Sequence, residues 1–221
     1  MVFDMENILV KELKRKFDQA IPRKFDSIYI NKRPFQSPKL KKQWYEIYGR
    51  PLNVSPSLIP PLQPEIDMIL FKGDTMISVE IKYFRRKGRG LDHPFYEGIE
   101  QALALSRWGF DNVALWQLFE ETITKEELFF YGGWTWNFLH AEPMFLGLKL
   151  PIEFTMMRVK KRDREFDLIP INVLGPVLVE ILPPYDPKFE IRAPHPNPLL
   201  VSPEVKRLRK ILIEWLKTQK P

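Results

Sequence analysis

Two acids and a lysine fall on a pattern that can hold a divalent cation and act on a phosphate. Asp67, Glu80 and Lys82 lie in the runs Pro64-Glu65-Ile66-Asp67-Met68-Ile69-Leu70-Phe71 and Thr75-Met76-Ile77-Ser78-Val79-Glu80-Ile81-Lys82-Tyr83, which flank Gly73-Asp74. A two-residue Gly-Asp loop signals a hairpin, because Gly supplies the positive φ needed at the first central position. That loop sets a register in which Lys72 faces Thr75, Asp67 stands opposite Glu80, and Glu65 stands opposite Lys82. Side chains alternate faces along a strand. One face therefore carries Ile66, Met68, Leu70, Ile77, Val79 and Ile81. The other carries Glu65, Asp67, Glu80 and Lys82, with Ile69, Phe71, Met76 and Ser78 beyond them.

Directly opposed acids have Cβ atoms about 5 Å apart, close enough to share one ion. Mg²⁺ is usually held by one or two carboxylates plus water and phosphate. Lys82, two residues beyond the second acid, points the same way. It can position an attacking water, help to deprotonate it, or steady charge on a phosphate. A bound cation would lower the pKa of that water and polarise the scissile phosphate. The plainer alternative is the polar outer face of a half-buried sheet. Ile69, Phe71 and Met76 on the same face weigh against it, as does the basic loop that follows.

Several elements must position these residues. Residues 5–20 read as a helix with Leu9, Leu13 and Phe17 in one stripe, flanked by Val2, Met5 and Val10, and with Asp4 as its N-cap. Glu6 falls inside that stripe and Glu12 at its edge. Residues 27–30 read as a strand. A second helix begins with Ser37 as N-cap and Pro38 at its first position, and ends at Gly49 as C′ residue. Leu40, Trp44, Ile47 and Tyr48 form its apolar side. Lys41 and Lys42, beside Lys39, stand among aromatics and are candidates for nucleic-acid contact, although a helix packed on one side and solvated on the other is the more frequent meaning of such a pattern. Residues 51–63 are Pro-rich and read as irregular. Arg85, Arg86, Lys87 and Arg89 follow the second strand in a Gly-containing loop able to track a phosphate backbone. Pro94 to Trp108 reads as a helix closed by Gly109, with small residues such as Gly98 and Ala102 allowing close packing on a sheet. The run Val113-Ala114-Leu115-Trp116 with Leu118-Phe119 then reads as a buried parallel strand, as the crossover length favours.

Pro64-x-x-Asp67, a gap, and Glu80-x-Lys82 resemble the PD-(D/E)XK nuclease superfamily, over roughly residues 1–120. The chain departs from the pattern by reading Pro-Glu-Ile-Asp rather than Pro-Asp; register favours Asp67 over Glu65 as the acid of the site. The resemblance implies an α/β, restriction-endonuclease-like core of order α-β-β-β-α-β, with a mixed central sheet flanked by helices. It implies a metal-dependent nuclease, with Asp67, Glu80 and the Ile81 carbonyl on Mg²⁺ or Mn²⁺, and Lys82 serving the attacking water. It also points to Gln101, in Tyr96-Glu97-Gly98-Ile99-Glu100-Gln101-Ala102, as a supporting residue. Relatives carry an acid on their first helix, which gives Glu6 a role; a first-turn Glu that complements the helix dipole accounts for it as well.

Residues 121–221 are expected to form a C-terminal β-rich and helical extension packed on the core. Residues 155–161 and 165–174 can pair across Lys161-Arg162-Asp163-Arg164. Trp134 and Trp136 can stack on bases, but the commoner fate of such rings is the core. Residues 183–200 are Pro-rich and read as extended, and Ser202-Pro203 opens a final amphipathic helix.

The 221 residues carry a net charge of +6, and no Cys, so disulfides and thiol chemistry are excluded. A basic balance favours polyanions, nucleic acid foremost. No apolar run approaches the ~18 residues of a membrane span, and the N-terminus does not read as a signal peptide, so the expectation is a cytoplasmic protein without a membrane partner. Abundant Lys, Arg, Glu and Pro lean towards a thermophile. The leading expectation is thus a nuclease acting on DNA, with a homodimer compatible. The alternative is a non-catalytic nucleic-acid-binding or assembly protein that keeps the fold.

Overall fold

A computed structural model describes residues 5–19, 25–53, 65–140, 152–162, 165–174, 177–180 and 197–220. Its spine is a mixed sheet with strand order β1-β2-β3-β6-β7-β8-β9. Here β1 is Ser27–Lys32, β2 Ile66–Lys72, β3 Thr75–Phe84, β6 Asn112–Glu120, β7 Ile152–Arg162, β8 Glu165–Leu174 and β9 Val177–Glu180. Strands β1, β2 and β3 are antiparallel neighbours; β6 runs parallel to β3, and β7 parallel to β6. The β6 strand is buried along nearly all its length, as a parallel strand covered on both faces must be. The sheet continues across residue 120 without interruption, because β7 pairs directly with β6 and β8 turns back on β7 with Arg162 opposite Glu165.

Helix α1, Met5–Gln19, lays Leu9, Val10, Leu13 and Phe17 on one face of the sheet, over Met68, Leu70, Ile77, Val79 and Ile81. The opposite face is covered by α2 (Pro38–Trp44), α3 (Ile99–Ser106) and α5 (Pro203–Lys217), around Ile69, Met76, Leu115 and Trp108. A third cluster of Phe84, Phe119, Ile123, Leu128 and Met156 lies where α4, Lys125–His140, meets the sheet. Among the described residues no helix is long and apolar enough to cross a membrane.

The Gly73-Asp74 hairpin forms with the expected register, Lys72 opposite Thr75 and Met68 opposite Val79, and Gly73 takes φ +58°. Caps at Ser37 and Ser202 form as read, each hydroxyl accepting from a first-turn amide. Asp4 and Val2, the Pro-rich run 54–64, the 163–164 turn and residues 181–196 lie outside the described residues.

Four expectations are corrected. Gly49 does not close the second helix as a left-handed C′ residue: its φ is −86°, and Asn53, with φ 55°, has that role. Gly49 is instead a point of close approach, where a Cβ would run into the Tyr45 ring. The helix expected from Pro94 begins only at Ile99, after a turn that ends in Gly98 at φ +86°. Ile66 leaves the face of Met68 and Leu70 and packs in the opposite cluster. Trp134 and Trp136 are exposed on α4 rather than in the core. Helix α4 starts from a reciprocal capping box, in which Glu127 N–H donates to Thr124 Oγ1 at 3.3 Å and Thr124 N–H donates to Glu127 Oε2 at 2.9 Å.

Candidate cation and phosphate site

The ladder between β2 and β3 runs from Lys72↔Thr75 to Met68↔Val79. Beyond that pair β2 and β3 part, β2 remaining on β1 and β3 on β6. Across β1, Asn31 occupies the position facing Asp67, between the pairs Ile30↔Met68 and Lys32↔Ile66, and adopts φ 51°. Asn tolerates this left-handed conformation better than most side chains. The Asp67 carboxylate then takes the Ile81 amide, Ile81 N–H donating to Asp67 Oδ2 at 2.7 Å. The next amide along that edge of β3, Tyr83 N–H, donates to Glu6 Oε1 at 3.2 Å. Two acids from different elements therefore satisfy the backbone donors that β2 leaves open.

Glu80 and Lys82 stand on the face of β3 that looks towards α3. Glu80 is 1% exposed. Its Oε1 accepts from Lys82 Nζ at 2.9 Å, and the same ammonium lies 3.8 Å from Glu6 Oε2. Glu80 Oε2 is buried with no hydrogen-bond partner among the described residues. That contrasts with Glu153 on β7, a half-buried acid whose oxygens accept from Trp116 Nε1 and Thr155 Oγ1. A bare carboxylate oxygen in a protein interior is costly unless something positive meets it. Gly98 lets the chain cross directly above this pair: a Cβ there would fall 2.8 Å from Lys82 Cγ. In β6, Gln117 faces Lys82 in register; its Nε2 donates to the Phe95 carbonyl at 2.8 Å, and Thr135 Oγ1 donates to the same carbonyl at 2.7 Å.

Burial, followed by the nearby Asp67, pushes Glu80 up to about 8. Burial likewise pushes Asp67 up to about 7, against the opposing pull of the Ile81 amide and Lys82. For Lys82, burial favours the neutral amine, but Glu80, Glu6 and Asp67 together outweigh it and hold the ammonium above its ordinary range. The site thus has a firmly charged lysine and two acids that resist ionising together, a pair best treated as one coupled titration.

The expected partners are therefore partly rearranged. Asp67, Glu80, Lys82 and Glu6 come together. Glu12 does not join them; it is held by Arg15 and Lys16. Glu65 does not pair with Lys82 but accepts from Arg33 Nε at 2.9 Å, because the ladder that would have brought it across ends at Met68. Ile81 contributes its amide to Asp67, and its side chain is buried with α1's stripe. Gln101 is half-buried in the first turn of α3, with no hydrogen bond to Asp67, Glu80 or Lys82 among the described residues. Arg85 pairs with Asp92 at 3.0 Å and Arg86 with Glu127, so only Lys87 and Arg89 of the four loop cations extend freely among the described residues. They lie in a small hairpin of β4 (Arg86–Lys87) and β5 (Gly90–Leu91). Lys41 and Lys42 are exposed on α2, which packs against α5. Sequence reasoning missed Asn31, Gln117 and Thr135; none lies in a recognisable motif, and only the fold brings them here.

Could these residues hold a cation? Among the described residues no group of three or more acids or histidines is gathered for one. The donor set is two carboxylates, one with an unpartnered buried oxygen. That suits an ion completed by water and phosphate rather than a closed protein cage. A direct consequence concerns pH. The pair binds protons more tightly folded than unfolded, so its stabilising contribution is full below about pH 4 and is lost as pH rises through about 7 and 8. In EDTA, the melting temperature of wild type relative to Glu80→Gln is expected to fall between about pH 5 and pH 8. Mn²⁺ should raise the wild-type value more at pH 8 than at pH 5, since the ion needs both acids ionised. A thermal-shift series decides it: parallel pH curves and no Mn²⁺ effect at any pH would remove the pair from any cation role.

Neither protein-family models nor curated protein sequences match this chain. Among solved structures, one described as the structure of Pyrococcus furiosus SfsA in complex with Ca²⁺ is similar over 60% of this chain, at 14% identity and a TM-score of 0.27. The chain spans 62% of the length of that protein. A likeness at this level carries no argument about the site.

Proposed function

We propose that this chain is a divalent-cation-dependent nuclease, acting on DNA in the first instance, built on the α-β-β-β-α-β core of the PD-(D/E)XK enzymes. The observation that carries the reading is the buried, unpartnered Oε2 of Glu80 beside Asp67 and a charged Lys82. The order α1-β1-β2-β3-α3-β6 of the sheet and its flanking helices, with α2 inserted, supports it. Asp67 and Glu80 would hold Mg²⁺ or Mn²⁺, with the Ile81 carbonyl as a further oxygen. When bound, the ion supplies charge to the phosphate and acidity to a water.

The chain's own residues do the rest. Lys82, kept protonated by Glu80 and Glu6, donates hydrogen bonds and charge to a phosphate oxygen or to the attacking water. In this state it is not a base, so the water's proton passes to a phosphate oxygen of the substrate or to bulk water. Glu6 accepts from Tyr83 N–H and lies 3.8 Å from Lys82, which holds the ammonium near the C-terminal end of β3. Gly98 and the Gln117–Phe95 contact hold the α3 entrance against the Lys82 stem.

The rival is a non-catalytic nucleic-acid-binding protein on the same fold, favoured by the structural duty that Asp67 and Glu6 already perform on β3 amides. Purified protein incubated with labelled duplex, single-stranded, flap and four-way DNA, and with RNA, decides between them. Cleavage in Mg²⁺ or Mn²⁺, none in EDTA, is the expected result; binding without cleavage in every arm would leave the rival standing.

A further inference from the structure

Beside the site lies a surface that the catalytic reading does not use. Tyr96, Phe130 and Trp134 are 56%, 55% and 37% exposed. They form one connected set of rings: Phe95 contacts Tyr96 at 5.3 Å and Trp134 at 6.1 Å between centroids, and Phe130 contacts Trp134 at 6.2 Å. Contiguous exposed aromatics on a folded chain usually mark a binding surface. Two contacts tie this one to the site. The Phe95 carbonyl is held by Gln117, the register partner of Lys82. The Arg86–Glu127 pair fastens the β4–β5 hairpin to α4 one turn before Phe130, on the same side of the helix. Lys87 and Arg89, both exposed, therefore sit on a hairpin anchored to the helix that carries Phe130 and Trp134.

Rings alone would suit an apolar protein partner. Rings flanked by free cations suit a polyanion that carries its own flat faces. We infer that Tyr96, Phe130 and Trp134 form a stacking platform for unpaired bases, with Lys87 and Arg89 on the adjoining phosphates, so that the preferred ligand is a single-stranded polynucleotide led towards Lys82. A duplex hides its base faces along its length and offers the platform only its ends. As the substrate form for the proposed nuclease site, this rests on that reading for cleavage but not for binding.

The test is therefore done first in EDTA, by fluorescence anisotropy with labelled oligo(dT) and oligo(U) of about 20 nucleotides and a blunt duplex of the same length. Wild type should bind the single strands more tightly than the duplex. Trp134→Leu and Phe130→Ala should each weaken single-strand binding by roughly tenfold, and Trp134→Phe should restore most of it, since stacking needs a ring and not merely an apolar side chain. Their salt slopes should match wild type. Lys87→Ala with Arg89→Ala should instead flatten the slope by about 1.4, at about 0.7 per single-strand contact. All these positions are exposed, and circular dichroism checks that each variant folds. Wild-type affinity in Trp134→Leu, or equal loss for duplex and single strand, would overturn the platform. So would a self-association, seen by ultracentrifugation, that the ring variants abolish while oligonucleotide binding stays intact. A platform failure leaves Mg²⁺-dependent cleavage untouched, whereas failure of the nuclease reading appears as single-strand binding without cleavage in any metal.

Discussion

Glu80→Gln is expected to abolish cation-dependent cleavage, by roughly a thousandfold or more, in a protein that still folds. The substitution keeps shape and removes the charge on which an ion would depend. It also separates function from structure. A residue retained for stability destabilises the fold when replaced. Glu80 is expected to do the reverse: buried beside Asp67 and lifted to about 8, its ionised form works against the fold at alkaline pH. Glu80→Gln in EDTA should therefore be at least as stable as wild type at pH 8, even allowing for a poorly partnered amide N–H. Asp67→Asn should behave similarly in cleavage and should keep the Ile81 amide bonded, because the amide oxygen can replace Oδ2. Turnover assays and denaturant melts on the same preparations check both halves. Full activity in both variants would end the metal-site assignment; loss of activity together with unfolding would make the acids structural.

Lys82→Ala should lower cleavage by about a hundredfold to ten-thousandfold while leaving Mn²⁺ and nucleic-acid binding in place, since an ammonium is no ligand for a cation. Its effect on pH is the sharper diagnostic. Lys82 is the charge that holds Glu80 down against burial. Without it Glu80 releases its proton at still higher pH, so the pH at which Mn²⁺ begins to stabilise the variant should move upwards. The fold should lose on the order of 2 kcal/mol rather than the full cost of a stranded charge, because Glu80 can take up a proton. Wild-type turnover in Lys82→Ala would reduce the lysine to a neutralising partner.

The hairpin and the grouping of Glu80 with Lys82 were legible because they depend on short-range rules. Gly73 dictates the turn, the turn dictates register, and alternation puts Glu80 and Lys82 on one face whatever the rest of the chain does. The helical stripes of α1 and α5, the caps at Ser37 and Ser202, and the parallel run of β6 follow from the same local periodicities. The α4 helix was equally local in its signal, Thr124-x-x-Glu127, but its interior of aromatics and glycines masked the period.

Where two strands stop pairing is another matter. The alternation rule carried Asp67, Ile66 and Glu65 straight on past Val79. The tertiary structure ends the ladder there, turns Asp67 to the Ile81 amide, sends Ile66 to the other core, and leaves Glu65 to Arg33. Glu6 could be placed beside Lys82 only by docking α1 on the sheet, and the open Oε2 of Glu80 exists only because the surrounding elements exclude water from it. The loop cations show the same division. Their number is a property of the chain, but Arg85 and Arg86 are neutralised by Asp92 and Glu127, the latter 41 residues from its partner, and Lys87 and Arg89 are not. Residue types and local spacing therefore determined the chemistry on offer. The pairing of distant charges, and the energetic strain of burying them, was decided by tertiary packing, because Coulombic and desolvation terms depend on through-space neighbours that no local pattern records.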